Sequence, residues 1–197
     1  MTIQIRIKRQ QSTKNQYLTG RDGFDQLMTK FSEADQPSLL ILCIGNLLMS
    51  DEGFGPRIAS ELLAAYTLPD NVCVLDRGVM GLALLADLRR ADAVLIVDAL
   101  DHTGFSPGTI CRFQPDQIAT YSGPKGAHDI RLSDVLAAAA LAGITPVVDC
   151  LGVQIRELNS LEAHIGLSPE LESALPTVLA AVCDWLSERG ATLKPIG

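Results

Sequence analysis

The chain has 197 residues, of which 47% are hydrophobic, 20% charged and 5% aromatic, and its formal net charge is −7. This length and composition are typical of one soluble domain with an aliphatic core. The acidic balance without a basic stripe argues against a nucleic-acid-binding protein, and the lack of a long apolar stretch or an apolar leader argues against membrane insertion or secretion.

The N-terminal part of the chain differs from the rest. Residues 1–37 hold six Lys/Arg against four Asp/Glu, whereas the remainder is acidic. Residues 4–10 alternate weakly, which would suit an edge strand, and apolar residues in 23–37 recur at helical spacing. We therefore divide the chain into an N-terminal extension over 1–37, either a docked arm or partly disordered, and a single α/β domain over 38–197.

From residue 38 onward, strand-like and helix-like patterns alternate. Apolar runs predict strands over 38–45, 71–76, 92–98, 108–113 and 147–155. Apolar residues at helical spacing predict helices over 51–66, 81–90, 132–143 and 168–186. In the last helix Ser168 suits the N-cap and Pro169 the first turn, while Pro176 should either kink the helix or mark its true start.

This alternation predicts an α/β fold, a three-layer sandwich with a mostly parallel central sheet and helices on both faces. The fourth strand follows the third after only a short loop, so it is expected to be an antiparallel edge strand. Five cysteines are present without a CxxC pair, and Cys43, Cys73 and Cys150 lie in strand-like runs. We interpret them as buried free thiols in a reducing cytoplasm rather than as a redox or metal set.

Acidic residues stand where three of the predicted strands end. Ligands of open α/β sheets bind beyond the carboxyl ends of the strands. Asp51 and Glu52 follow the first strand, where they could simply favour a helix N-terminus, and only one of them needs to face this edge. Asp76 follows the second and could be a turn former or a helix cap. Asp98 follows a fully apolar run, where a carboxylate needs a partner or a metal ion.

A histidine could complete such a site. His128 lies in a Gly-rich polar run, whereas His102 and His164 lie in loops and are expected to be solvated. One imidazole with two carboxylates is a reasonable ligand set for a divalent metal. The glycine patterns of dinucleotide sites and of α/β-hydrolases are missing, and cysteines in strands argue against a thiol protease.

Five motifs follow one another along the chain: ILCIGNLLMSDEGFGPRIASEL, VLDRGVMGLALL, DAVLIVDAL, AHDIRLSDVL and LEAHIGLSPELESALP. In the content and order of these motifs, about residues 38–187 of the chain resemble the hydrogenase maturation endopeptidases. The resemblance implies a metal-responsive site of Glu52, Asp98 and His128, acting both as metal ligands and in catalysis. It also implies removal of a short C-terminal extension from the large-subunit precursor of a nickel–iron hydrogenase, with nickel supplied by that precursor. Other divalent ions could occupy the site.

Two features depart from the family pattern. The second-strand block, commonly D-G-G-T, reads Asp76–Arg77–Gly78–Val79 here, and residues 1–37 lack an obvious counterpart. Asn46, Asp76, Arg77 and Gly78 are candidate substrate-binding residues, and Arg77 could bind an acidic tail.

Two mechanisms stay open for such an enzyme. The metal could assist hydrolysis directly, or a carboxylate could act as general base while the metal positions the precursor. A non-catalytic metal-sensing chaperone module is the alternative function. The expected partner is the precursor alone, with no nucleic acid and no membrane, and the protein is expected to be a monomer.

Overall fold

The computed structural model describes residues 6–7, 16–17, 38–79, 81–113, 132–156 and 165–196. The strands are β1 (Arg6–Ile7), β2 (Gln16–Tyr17), β3 (Leu39–Cys43), β4 (Tyr66–Thr67), β5 (Val72–Asp76), β6 (Ala93–Leu100), β7 (Ile110–Phe113), β8 (Val147–Gln154) and β9 (Lys194–Pro195). The α-helices are α1 (Phe54–Ala65), α2 (Leu84–Leu88), α3 (Leu132–Leu141) and α4 (Pro169–Ser187), and a 3-10 helix (Ser50–Gly53) precedes α1.

The central sheet has five strands in the order β5-β3-β6-β8-β7. The first four are parallel, with β3 between β5 and β6, and β7 runs antiparallel to β8 at the edge. The chain moves outward from β3 to β5 and then crosses back to β6, so strand order reverses between β3 and β6. Their carboxyl ends flank the crevice where sheets of this kind bind ligands.

Helices cover both faces of this sheet. One apolar core packs β3 and β6 side chains such as Ile41 and Leu95 against α1 and α4, including the buried Trp185. The other packs the alternate positions, such as Leu42 and Ile96, against α2 and α3. The α/β sandwich with an antiparallel edge strand is therefore confirmed. Because side chains alternate along a strand, Asp98 has the same orientation as Ile96, towards α2 and α3.

Strand β6 continues past Asp98 to Leu100, so the expectation that it ends at Asp98 is wrong. The two added residues, Ala99 and Leu100, continue the pairing with β8. In this pairing Asp98 lies opposite Gly152, and Leu100 lies opposite Gln154. Gly152 permits this arrangement, since a Cβ there would lie 2.4 Å from a Leu100 side-chain carbon. The last helix begins at Pro169 and includes Pro176, so Pro176 does not mark its start.

Two small pairings lie outside the central sheet. Strand β4 pairs with β9, which the sequence pattern did not predict, and β1 pairs with β2 within the N-terminal extension. The helix predicted in 23–37 lies outside the described residues, so the division at residue 37 stays a prediction. In the described part of the chain no helix combines the length and apolar character that crossing a membrane requires.

Candidate active site

The loop between β3 and α1 is closed by its own backbone. The Asn46 N–H donates to the Glu52 carbonyl at 3.0 Å, and the Glu52 N–H donates to the Met49 carbonyl at 3.1 Å. Met49 in turn donates to the Asn46 carbonyl at 3.0 Å. Glu52 is thus held through both of its backbone polar groups, which fixes where its side chain starts.

Glycine is required where this loop leaves the strand. Gly45 has a φ of +143°, and a Cβ there would lie 1.9 Å from the Glu52 carbonyl oxygen. Any other residue at position 45 would push the backbone of Glu52 out of place.

The neighbouring carboxylates Asp51 and Glu52 have different surroundings. Asp51 is 4% exposed, and its Oδ1 accepts a hydrogen bond of 2.7 Å from the Ser168 N–H, at the start of α4. Asp51 therefore ties the 3-10 helix to α4. Glu52 lines a cavity instead, so it is the one of the two acids that faces the ligand edge.

This cavity has a volume of about 300 Å³ and lies at the carboxyl ends of β3 and β6. Three carboxylates line it: Glu52, Asp98 and Asp101. Its other described lining residues are apolar or glycine: Ile44, Gly45, Val79, Gly81, Leu84, Ala99, Leu132, Val135 and Ile155. Among the described residues, acidic groups therefore converge on a pocket that is otherwise uncharged.

Burial shapes the electrostatics of this pocket. It raises the pKa of Asp98 to about 7, opposed by a 2.8 Å hydrogen bond from the Ala99 N–H and reinforced by the charge of Glu52. Burial, followed by the charge of Asp101, also raises the pKa of Glu52. Both shifts mean that ionisation is unfavourable there without a compensating positive charge. A divalent cation is the kind of ligand that would supply it.

The described residues alone do not complete a metal site, because no three His, Cys, Asp or Glu side chains among them are grouped to hold an ion. Glu52 and Asp98 are brought to one cavity, whereas His128 lies outside the described residues. Leu132, the first residue of α3, lines the cavity four positions after His128. The place of His128 in this site therefore stays a prediction.

Comparison with known proteins identifies the family. The sequence model of the hydrogenase maturation protease family (HycI) matches residues 56–185. The Hydrogenase 2 maturation protease of Escherichia coli (strain K12) is 36% identical over 158 residues, covering 80% of this chain and 95% of the relative. This chain belongs to the hydrogenase maturation protease family.

Further comparisons agree with that assignment. The hydrogenase expression/formation protein HupM of Azotobacter chroococcum mcd 1 is 37% identical, over 81% of this chain and 76% of the relative. The solved structure of the hydrogenase maturating endopeptidase HybD from E. coli superimposes with a TM-score of 0.71 at 36% identity, covering 80% of this chain and 96% of that one. The chain is therefore a hydrolase of the endopeptidase class, which favours the enzyme over the non-catalytic alternative.

Three candidate substrate-binding residues of this protease build the loops around the cavity. The Asn46 Oδ1 accepts from the Leu48 N–H at 3.1 Å, and the Asp76 Oδ1 accepts from the Gly78 N–H at 2.9 Å. Asp76 is thus a turn former, one of the two roles considered for it. In the described part of the chain their neighbours Gly45, Val79 and Gly81 line the cavity instead. Contact of Asn46, Asp76 and Gly78 with a substrate stays a prediction.

Arg77 is paired within the fold. Its guanidinium is buried and forms two hydrogen bonds to the Asp87 carboxylate, Nε to Oδ2 at 2.7 Å and Nη2 to Oδ1 at 2.6 Å. This pairing argues against a role for Arg77 in binding an acidic tail, and that role stays a prediction. The ion pair between Arg77 and Asp87 links the end of β5 to α2, because Asp87 belongs to that helix.

The sequence pattern missed Asp101 as a cavity residue. It was overlooked because β6 was expected to end at Asp98, whereas the strand runs to Leu100 and delivers Asp101 to the same edge. The length of the apolar run would have been the signal. Of the other histidines, His102 is 42% exposed in the following loop, as expected, and His164 lies outside the described residues.

Proposed function

We propose that this protease removes a short C-terminal extension from the large-subunit precursor of a nickel–iron hydrogenase, after nickel has been inserted. The observation that carries the proposal is the convergence of Glu52 and Asp98 on one cavity at the point where strand order reverses. Family membership supplies the reaction class, and this convergence supplies a place for it. The cleavage reaction would take place in a reducing cytoplasm, which agrees with the presence of five free cysteines.

Glu52, Asp98 and His128 are the proposed metal ligands and catalytic residues. Two carboxylates and one imidazole suit a borderline divalent ion but include no thiolate, so they should bind nickel or zinc only moderately. We therefore treat nickel as part of the substrate, carried by cysteines of the precursor near the scissile bond. Binding of the loaded precursor would place that positive charge between carboxylates whose raised pKa values make them poorly stable as isolated anions.

The chemistry then has two routes. Nickel supplies a Lewis acid that can polarise a scissile carbonyl or a water molecule. Alternatively, one of the carboxylates takes a proton from the attacking water as general base, while the metal positions the precursor. In both routes the position of Glu52 is fixed by the loop whose backbone conformation requires Gly45.

The deciding experiment is mass spectrometry of nickel-loaded precursor incubated with and without this protein. We expect the precursor to lose a C-terminal peptide only when the protein is present. An unchanged mass, with stable association of the two proteins, would instead support a non-catalytic chaperone.

The proposed residues are tested by Glu52→Gln, Asp98→Asn and His128→Ala. Each should reduce cleavage by at least about a hundredfold, the scale for a group that acts on the reacting atoms, while thermal unfolding stays cooperative. Glu61→Gln is the matched control, because Glu61 is a half-exposed glutamate on α1 paired with Arg57. Wild-type cleavage by any of the three variants would remove that residue from the mechanism.

A further inference from the structure

Four large apolar side chains are exposed beside the cavity. Leu47 and Leu48, on the β3–α1 loop, are 51% and 55% exposed, and Val79 and Leu82, on the β5–α2 loop, are 73% and 52% exposed. We call these four residues the apolar rim. Leaving them in water is unfavourable, and a group of such side chains on one surface is typical of an interaction site.

The apolar rim is continuous with the cavity. A hydrogen bond of 3.1 Å from the Gly45 N–H to the Gly78 carbonyl joins its two loops. Val79 lines the cavity itself, and each loop also supplies a glycine to the lining. A molecule that enters the cavity from this side therefore contacts the rim.

The loop segments that carry the rim are uncharged, in contrast to the carboxylates inside the cavity. Residues 44–50 and 78–86 contain no Asp, Glu, Lys or Arg, in a chain whose net charge is −7. A partner with charged side chains would lose hydration there without gaining an ion pair. The chemistry of the rim thus selects an apolar, uncharged segment.

The size of the cavity indicates where that segment binds. About 300 Å³ is at the lower end for ligand pockets, enough for the groups that react but not for a length of polypeptide. The chain flanking the scissile bond must therefore lie outside the cavity. We propose that the apolar rim binds an apolar, uncharged segment of the precursor next to the scissile bond. The proposal rests on the proposed function and adds the surface that recognises the substrate.

The test is a double substitution, Leu48→Ser with Leu82→Ser, assayed on nickel-loaded precursor. Losing two apolar contacts at an interface should raise KM and the Kd of the precursor about tenfold. The kcat should change less than about twofold, because neither side chain acts on the reacting atoms.

The matched control is Leu141→Ser with Val147→Ser. These residues are 92% and 60% exposed. They lie at the end of α3 and at the start of β8, away from the carboxyl ends of the strands where the cavity lies. The control should leave KM, Kd and kcat unchanged. Equal effects of both double variants, or an unchanged KM and Kd for the rim variant, would overturn the proposal.

Two further outcomes separate this proposal from the others. If the wild-type protein leaves the precursor intact, the proposed function fails, and precursor binding alone decides the rim: weaker binding by the rim variant supports it and equal binding rejects it. Analytical ultracentrifugation of the protein alone tests whether a second copy of this chain binds the rim instead. A wild-type dimer that the rim substitutions dissociate would show that the rim is a self-association surface, and the proposal would be wrong.

Discussion

Asp98 shows how one buried carboxylate links the stability of the fold to its site. Its pKa is about 7 in the folded protein against an ordinary value of 3.8, so the native state binds an extra proton between these pH values. Below about pH 4 the group is protonated in both states and costs nothing. As the pH rises from about 4 to about 7, the unfolded state loses this proton while the folded state keeps it, so the free energy of unfolding falls across that range and levels off above it.

Asp98→Asn should therefore stabilise the metal-free protein at pH 8 and not at pH 4. The expected gain at pH 8 is of order 4 kcal/mol, since the pKa is raised from 3.8 to about 7 and each pKa unit corresponds to about 1.4 kcal/mol. Urea denaturation at the two pH values measures it. A difference between wild type and variant that is the same at both pH values would contradict the pKa shift.

Individual residues differed in how well the sequence predicted their place. Asp98 could be found because a carboxylate that follows an apolar run is conspicuous, and Glu52 because it lies in the loop after the first strand, and both line the cavity. The pairing of Arg77 was not foreseen, because its partner Asp87 lies ten positions away and no local spacing pattern marks the pair. Which side of the sheet a side chain chooses depends on such partners, and spacing alone does not show them.

At the scale of elements, the Arg77–Asp87 pair joins β5 to α2 across the loop that contributes Val79 and Gly81 to the cavity. The side chains of the pair are 8% and 2% exposed. Removing one partner of a buried pair leaves the other charge without compensation, whereas an apolar replacement of both is often tolerated.

Arg77→Met should consequently lower the free energy of unfolding by about 3 kcal/mol, the usual loss for a broken buried pair. The double variant Arg77→Met with Asp87→Leu should recover most of that loss. A double-mutant cycle in urea gives the coupling energy directly. Additive losses would show that the two side chains act independently.

The order and type of the main elements followed from the sequence, since long apolar runs and helical spacing are local signals. The ends of elements did not. Strand β6 gains two residues because Gly152 leaves room for Leu100, a contact between residues far apart in sequence. The β4–β9 pairing was missed for a similar reason, because two-residue strands have no periodicity to detect.

Across the whole molecule, all five cysteines are free, as predicted. Cys43, Cys73 and Cys150 are buried, and burial raises their pKa values, that of Cys150 to about 12. Because the thiolate is the reactive form, these three should resist modification in the native protein. Cys111 and Cys183 are only half-buried and should react first.

A thiol titration tests this pattern. Native protein should give at most two fast thiols, and protein denatured without a reductant should give five. A denatured count of three or one would reveal disulfide bonds and overturn the interpretation.

The source of the metal is also a property of the whole protein and its substrate. A site with two carboxylates, one imidazole and no thiolate should leave the isolated protein largely metal-free. Elemental analysis of the purified protein, followed by cleavage assays on nickel-loaded and nickel-free precursor, measures this. We expect cleavage of the loaded form only. Stoichiometric zinc with equal cleavage of both forms would identify a conventional zinc peptidase.

The tight approach of Gly45 to the Glu52 carbonyl has a consequence for how such a protease diversifies. Together with Gly55, where a Cβ would lie 2.1 Å from the Ile44 carbonyl oxygen, it fixes the two ends of the loop by backbone contact alone. Between them, Leu47 and Leu48 are exposed to water and are not part of the core, unlike the buried Asp51 and Phe54. Substitutions at these two leucines could therefore change which hydrogenase is recognised, while the two glycines keep the proposed catalytic residue Glu52 in place.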